Sequence, residues 1–162
     1  MSDLDTALDL SERELIASRI FAAPVSALWR AISDPAILSR GWGPRGFRNT
    51  THSFEFREGG VWRLTMHGPD GTDYPNEFIF RAIREERLIV LEHMSAPYFL
   101  ATLILDAMDS KAKPGGETKP GGETKATFRQ IFDSARTCDA LKSICLPANE
   151  DNLDRLAGVI TS

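Results

Sequence analysis

Long apolar runs are missing from this sequence of 162 residues, and none approaches the roughly 18 consecutive apolar residues of a membrane-spanning helix. The first residues, MSDLDTALDLSERE, carry acidic side chains where a secretory signal has positive charge followed by an apolar core. The sequence therefore predicts a cytoplasmic protein that has no membrane as a partner.

Positive charge is outnumbered by negative charge. There are 19 lysines and arginines against 23 acidic residues, which gives a formal net charge of -4, and the basic residues form no cluster. Because nucleic-acid binding depends on basic side chains that neutralise phosphates, nucleic acid is not expected as a partner.

Histidines and cysteines are few. The three histidines, His52, His67 and His93, lack the close spacing that is typical of metal sites. The two cysteines, Cys138 and Cys145, would lie about 10 Å apart along one helix, which is too far for a disulfide. The sequence predicts free thiols, no metal and no cofactor.

The apolar content of 42% is enough to form a hydrophobic core without crosslinks. We predict a flexible N-terminal segment over residues 1–11, followed by a single domain over residues 12–162. Nothing in the residues distinguishes a monomer from a homodimer.

The spacing of apolar residues predicts one strand, two short helices, six further strands and a long C-terminal helix. The first strand covers residues 14–21, Pro24 suits the first turn of the first helix, and Asp34 caps the second with Pro35 at its start. Pro147 is expected to break or kink the last helix. The six later strands are predicted at 47–56, 60–68, 76–83, 87–94, 98–108 and 125–133.

A six-residue unit, KPGGET, occurs twice in tandem over residues 113–124. Because it is rich in glycine, proline and charge, it cannot bury apolar surface. We predict a mobile hairpin loop over residues 109–125.

Six strands joined by short turns form an antiparallel meander, whose apolar face needs a cover. The C-terminal helix is the only predicted element long enough to cover it. The expected fold class is therefore α+β, with a curved seven-stranded antiparallel sheet around that helix.

Four stretches carry a resemblance to a known family: GWGPRGF (41–47), FREGGVWRLTMHGPDGTDYPN (56–76), EERLIVLEH (85–93) and NLDRLAGVI (152–160). They resemble the heat-shock-protein-90 ATPase activator homologue branch of the START-like, or SRPBCC, superfamily. The resemblance covers residues 14–160 and implies a helix-grip fold with an apolar cavity between sheet and helix. It also suggests a chaperone as an alternative partner and a role in stress responses. The chain departs from the family pattern at Ala82, where an acidic residue is usual.

The more apolar face of each strand predicts which side chains point inward. His93 and Gln130 are its polar members, with His52 as a further possibility, and Ala82 is assigned to it. The candidate ligand-binding residues are Trp42, Phe54, Trp62, Met66, Phe80, His93, Phe99, Phe128, Gln130, Phe132 and Leu153.

A pocket of this composition suits a small hydrophobic or aromatic molecule, oriented by one or two polar groups. No nucleophile and base pair is visible beside His93, so binding is favoured over catalysis. A chaperone-partner role is the alternative, and a cyclase or hydrolase that uses the same cavity is a further one.

Overall fold

The computed structural model describes residues 12–110 and 119–161, and within them it contains seven strands and three helices. The strands form one antiparallel sheet in the order β1-β7-β6-β5-β4-β3-β2. The strands are β1 (Glu14–Phe21), β2 (Arg48–Phe54), β3 (Val61–His67), β4 (Asp73–Arg84), β5 (Leu88–His93), β6 (Phe99–Ser110) and β7 (Lys119–Phe132). The helices are α1 (Val25–Ser33), α2 (Pro35–Gly41) and α3 (Ala135–Thr161). The predicted α+β helix-grip fold is confirmed.

The two short helices follow from local sequence signals. In α1 the residues Leu28, Ala31 and Ile32 recur at helical spacing and are buried. The Asp34 carboxylate accepts a hydrogen bond from the backbone N–H of Ala36 at 2.9 Å, and Pro35 occupies the first position of α2. The predicted cap and proline position of α2 are confirmed.

Two irregularities in the sheet change the faces predicted for single residues. The register shifts between Phe80 and Ala82, after which Ile83 pairs with the buried Ile89. The inward assignment of Ala82 is therefore wrong, because a bulge moves the next side chain to the core. A second shift, between Thr51 and Ser53, leaves His52 exposed on the outer face.

The predicted loop at 109–125 is wrong at its bounds, because strand pairing continues to Ser110 and Lys119. Residues 111–118 lie outside the described residues. Strand pairing uses backbone groups, which a segment poor in apolar side chains also supplies. Near the register shift after Met108, Gly121 has a positive φ of 65°, which glycine adopts without strain.

Helix α3 begins after Ser134, whose hydroxyl oxygen accepts a hydrogen bond from the Thr137 N–H at 3.1 Å. The helix continues through Pro147 to Thr161, so of the predicted break or kink at that proline the break is wrong. Proline removes only one bond of the helical ladder, and buried residues on both sides, such as Cys138 and Leu153, anchor the helix to the sheet.

The core lies between the sheet and the helices. A large cluster joins residues of α1, α2 and the second half of α3 to the inner face of the sheet, and a smaller one contains Leu15, Phe132 and Cys138. Both cysteines are free, as predicted, and burial raises the pKa of each thiol. Among the described residues, no helix is long and apolar enough to cross a membrane.

Candidate ligand-binding site

Two small apolar cavities lie between the inner face of the sheet and the helices. The sheet cavity, of about 30 Å³, is lined by Ile32, Leu38, Trp42, Trp62, Phe80, Ile89, Leu91, Ala101, Leu103 and Phe128. The helix cavity, of about 20 Å³, is lined by Ile32, Leu38, Gly41, Trp42, Leu103, Phe128, Asn149, Asn152, Leu153 and Leu156. A water molecule occupies about 30 Å³ of liquid and typical ligand pockets about 300–1,000 Å³, so both cavities are closed to ligands in this conformation.

Trp42 borders both cavities. Its ring lies 5.0 Å from that of Trp62, 5.9 Å from Phe78 and 6.4 Å from Phe128, each in an edge-to-face arrangement. Such contacts stabilise a filled core. The indole of Trp42 thus occupies space that would otherwise belong to the two cavities.

Trp62, which lines the sheet cavity, carries a buried polar group. The residue is 1% exposed, and its indole N–H has no hydrogen-bond partner among the described residues. Buried tryptophan N–H groups usually find an acceptor, and one left without costs about 1–3 kcal/mol. The interior therefore holds a donor that an acceptor atom could satisfy.

The segment that carries Trp42 is tied to α3. The Asn152 side-chain oxygen accepts from the Gly43 N–H at 2.8 Å, and its amide donates to the Gly41 carbonyl at 3.2 Å. The Arg155 guanidinium donates to the carbonyls of Trp42 and Gly43. Burial lowers the pKa of Arg155 from its ordinary value.

Strand β2 holds the same segment from the other side. The Asn49 amide donates to the carbonyls of Ser39 and Trp42, at 2.9 Å each. The backbone around Trp42 is therefore held in place, so this residue could enlarge the cavities only by a rotation of its side chain.

Asn149 and Asn152 are the polar residues that line the helix cavity, and Asn149 is hydrogen-bonded to Gln130. Gln130 is 5% exposed, and its side-chain oxygen accepts a hydrogen bond from the Asn149 amide at 3.0 Å. Asn149 lines the cavity, whereas Gln130 is not part of the lining. Gln130 can therefore influence a ligand only by positioning Asn149.

His93 lies outside both linings. One ring nitrogen contacts the Pro97 carbonyl at 2.8 Å and the other contacts the Asn76 side-chain oxygen at 2.7 Å. The ring stacks on Phe99 at a centroid distance of 4.6 Å. Both nitrogens are engaged, so the contacts of His93 are those of a structural residue.

The predicted site residues separate into two groups. Five line the cavities: Trp42, Trp62, Phe80, Phe128 and Leu153. Six lie elsewhere in the core or at its edge: Phe54, Met66, His93, Phe99, Gln130 and Phe132. The prediction omitted the lining residues Ile32, Leu38, Gly41, Ile89, Leu91, Ala101, Leu103, Asn149, Asn152 and Leu156.

Larger hollows occur at the surface. One of about 510 Å³ lies between β1 and the start of α3 and is lined by Glu12, Glu14, Leu15, Ala135, Arg136, Cys138, Asp139 and Lys142. Its lining carries charges of both signs and therefore indicates no particular class of ligand. In the described parts of the chain, no group of three or more histidine, cysteine or acidic residues could hold a metal ion.

Comparison with known proteins identifies one family. The sequence profile described as Activator of Hsp90 ATPase homolog 1-like protein matches residues 22–160. Among curated proteins no match is found.

Solved structures show the same fold. A protein from Arthrobacter aurescens is 21% identical with a TM-score of 0.78, over 94% of this chain and 88% of its own. Protein NE0264 from Nitrosomonas europaea is 17% identical with a TM-score of 0.76, over 93% and 96%. The AHSA1 (SPO3351) protein from Silicibacter pomeroyi is 16% identical with a TM-score of 0.69, over 91% and 97%. At these identities the likeness concerns the fold alone.

Proposed function

The chain belongs to the family of Activator of Hsp90 ATPase homolog 1-like proteins, and on that premise we propose that it binds a small, largely apolar molecule with one hydrogen-bond acceptor. The observation that carries this proposal is the buried, unpartnered N–H of Trp62, a residue that lines the apolar sheet cavity. An acceptor on the ligand would satisfy this donor, while the aromatic lining would contact the rest of the molecule.

Binding requires the interior to open, because neither cavity exceeds about 30 Å³. Rotation of the Trp42 side chain would join the two spaces, since it borders both. Hydrogen bonds from Asn49 and Arg155 hold the Trp42 carbonyl, so the backbone can stay in place during this movement. The expected ligand is therefore comparable in size to the displaced indole.

Native mass spectrometry of protein purified from its own host tests this proposal. We expect an additional mass that is lost on denaturation. Phe128→Trp, which fills both cavities, should abolish it, whereas Phe56→Trp, a matched change at a residue outside both linings, should keep it. The bare chain mass, together with no saturable binding of a hydrophobic dye, would contradict the proposal.

Trp62→Phe tests the polar contact separately. The substitution keeps an aromatic ring and removes the N–H, so we expect ligand affinity to fall by roughly tenfold, the value of one hydrogen bond of about 1.4 kcal/mol. Titration of the released ligand into the stripped protein measures this effect. Equal ligand affinities of Trp62→Phe and the wild-type protein would show that the N–H does not bind the ligand.

A chaperone-partner role is the second candidate, and exposed apolar residues on the outer face of the sheet favour it. Ile16 and Ile20 on β1 are 56% and 51% exposed, and Leu100 on β6 is 37% exposed. Side chains of this kind, when grouped, mark interaction surfaces.

The ATPase rate of the heat-shock protein 90 of the same organism distinguishes the two candidates. A chaperone partner would raise this rate saturably, the double change Ile16→Thr and Ile20→Thr would reduce the effect, and Phe128→Trp would leave it unchanged. No effect of the wild-type protein would exclude this candidate. Cytoplasmic location, a role in stress responses and the choice between monomer and homodimer stay predictions.

A further inference from the structure

Three side chains on the outer face of the sheet form a hydrogen-bonded chain across β2, β3 and β4. The Thr50 hydroxyl lies 2.7 Å from Nε2 of His67, and Nδ1 of His67 lies 2.7 Å from Oδ1 of Asp73. His67 and Asp73 are register partners, and Thr50 is diagonal to His67 across the β2–β3 pair. This cluster lies on the face opposite to the cavities.

The direction of each hydrogen bond follows from the chemistry of the groups. An ionised carboxylate only accepts, so Nδ1 of His67 carries the proton that is donated to Asp73. In a neutral imidazole the other nitrogen is then an acceptor, and the Thr50 hydroxyl donates to it. A hydroxyl that donates to a histidine oriented by a carboxylate has the arrangement of an activated nucleophile.

The same face offers an internal comparison. His52 and Thr65 form a second pair, with 2.8 Å between Nε2 and the hydroxyl oxygen. Within the described residues no carboxylate contacts His52, so nothing fixes its tautomer. The two threonine–histidine pairs on these strands thus differ in one respect: a carboxylate orients His67, and none among the described side chains orients His52.

A cation lies beside the cluster. Arg48 is the register partner of His67 and precedes Thr50 by two residues on β2, so its side chain emerges on the same face. Arg48 is exposed, and in the described part of the chain it forms no ion pair. An unpaired guanidinium at this position can bind a carboxylate on a substrate or the oxyanion of an addition intermediate.

We propose that Thr50 accepts acyl groups from small activated esters, with His67 as general base, Asp73 as positioning residue and Arg48 as the anion-binding group. The Thr50 oxygen bonds to the ester carbonyl carbon while its proton passes to Nε2 of His67. The carbon–oxygen bond to the leaving alcohol or phenol then breaks, and that oxygen takes the proton from His67. A water oxygen then bonds to the acyl carbon while one water proton passes to Nε2 of His67, the bond from that carbon to the Thr50 oxygen breaks, and the Thr50 oxygen takes the proton from His67, which releases the acid. The substrate class is a small acyl ester, preferentially one with a negative charge on the acyl group.

Acylation by p-nitrophenyl acetate, quenched in acid and located by peptide mass spectrometry, tests this proposal. Trypsin cleaves after Arg48 and Arg57, so Thr50 and Thr65 fall in different peptides. We expect acetyl on Thr50 in the wild-type protein, none at this position in Thr50→Val, and retention in Thr50→Ser. His67→Gln should slow the labelling at least tenfold, because general bases typically contribute about 10²–10⁴ in rate.

Asp73 and the second pair supply the controls. Asp73→Asn should slow acylation of Thr50 and Asp73→Glu should restore part of the rate, which a merely structural role of Asp73 does not predict. Thr65→Val and His52→Gln should leave the rate unchanged. Absence of acetyl on Thr50, equal labelling of Thr65, or a rate unaffected by His67→Gln would each overturn the proposal.

The role of Arg48 has its own measurement. The rate of p-nitrophenolate release is compared for p-nitrophenyl acetate and for mono-p-nitrophenyl succinate, whose acyl group carries a carboxylate. The wild-type protein should favour the succinate, and Arg48→Gln should remove that preference. An unchanged preference for the succinate ester in Arg48→Gln would show that Arg48 does not bind the anionic group.

Discussion

At the scale of single residues, Asn152 and Arg155 are notable because both hold the short segment that carries Trp42. They lie three residues apart on α3 and therefore on the same side of the helix. Asn152 satisfies one backbone N–H and one carbonyl of this segment, and Arg155 satisfies several carbonyls. The position of an aromatic side chain in the core thus depends on polar side chains of another element.

Asn152→Ala is expected to lower the free energy of unfolding by about 1–3 kcal/mol, since it leaves the N–H of the buried Gly43 without its acceptor. Chemical denaturation monitored by tryptophan fluorescence measures the change. Glu150→Ala is the control on the same helix: it removes only an exposed ion pair with Arg19 and should cost less than about 1 kcal/mol. Equal effects of the two substitutions would contradict a special role of Asn152.

At the scale of elements, α3 contains a proline at a position where a helix normally has a backbone donor. Pro147 cannot donate to the carbonyl of Ser143, four residues earlier, yet the helix is continuous from Ala135 to Thr161. Packing of the buried helical residues against the sheet offsets this loss.

Pro147→Ala should raise the free energy of unfolding by roughly 1–3 kcal/mol, because it restores the missing donor and Pro147 is exposed. Thermal and chemical denaturation measure the gain. Ser143→Ala, at another exposed position of the same helix, should change stability by no more than about 0.5 kcal/mol. A loss of stability in Pro147→Ala would mean that core packing depends on the proline.

The β3–β4 hairpin contains a carboxylate that responds to pH. The backbone N–H of Thr72 donates to Asp70 at 3.0 Å and lowers the pKa of this carboxyl below its usual range. Since the folded-state pKa is lowered, the stabilisation is fully present above the unfolded value of about 3.9 and is lost as pH falls through the folded value. Asp70→Asn should therefore be less sensitive than the wild-type protein to acidification below about pH 4. Identical pH profiles of stability would contradict this assignment.

Alternation of apolar residues was sufficient to predict the elements and the inward face of most strands. It failed at Ala82 and His52, because a bulge adds one residue to the alternation between the two faces. The polarity of the side chains does not reveal where such an extra residue lies. It also failed for residues 119–124, which pair through their backbone although their side chains suggest a loop.

At the scale of the whole molecule, strands at the edge of the sheet are paired on one side and strands at its centre are paired on both. Strand β5 lies in the middle of the order and is paired on both sides, whereas β2 is an edge strand that is paired only with β3 within the described sheet. Local opening should therefore require less free energy at β2 than at β5.

Hydrogen exchange measured by NMR should show this gradient. We expect the amides of Ile89 and Leu91 to exchange near the rate of global unfolding, and the amide of Thr50 to exchange faster. Uniform protection across β2 and β5 would mean that the sheet opens only as a unit.

The size of the sheet cavity and the helix cavity could not be predicted from the sequence. An apolar inner face is compatible with a ligand cavity and with a filled core, since both are lined by the same residue types. The Trp42 indole takes up part of this space through its contacts with Trp62, Phe78 and Phe128, which are distant in the sequence.

The hairpin between β6 and β7 has a consequence for how this domain changes length during evolution. The two KPGGET copies are identical, so loss of either one leaves the same sequence at the start of β7. After such a loss, two residues would connect the paired positions Ser110 and Lys119, which is the length of the shortest common hairpin connection. The unit has six residues, an even number, so its gain or loss leaves the alternation of side chains between the two faces of the sheet unchanged. Duplication or deletion of this unit can therefore alter the length of the chain while the pairing of β6 with β7 stays the same.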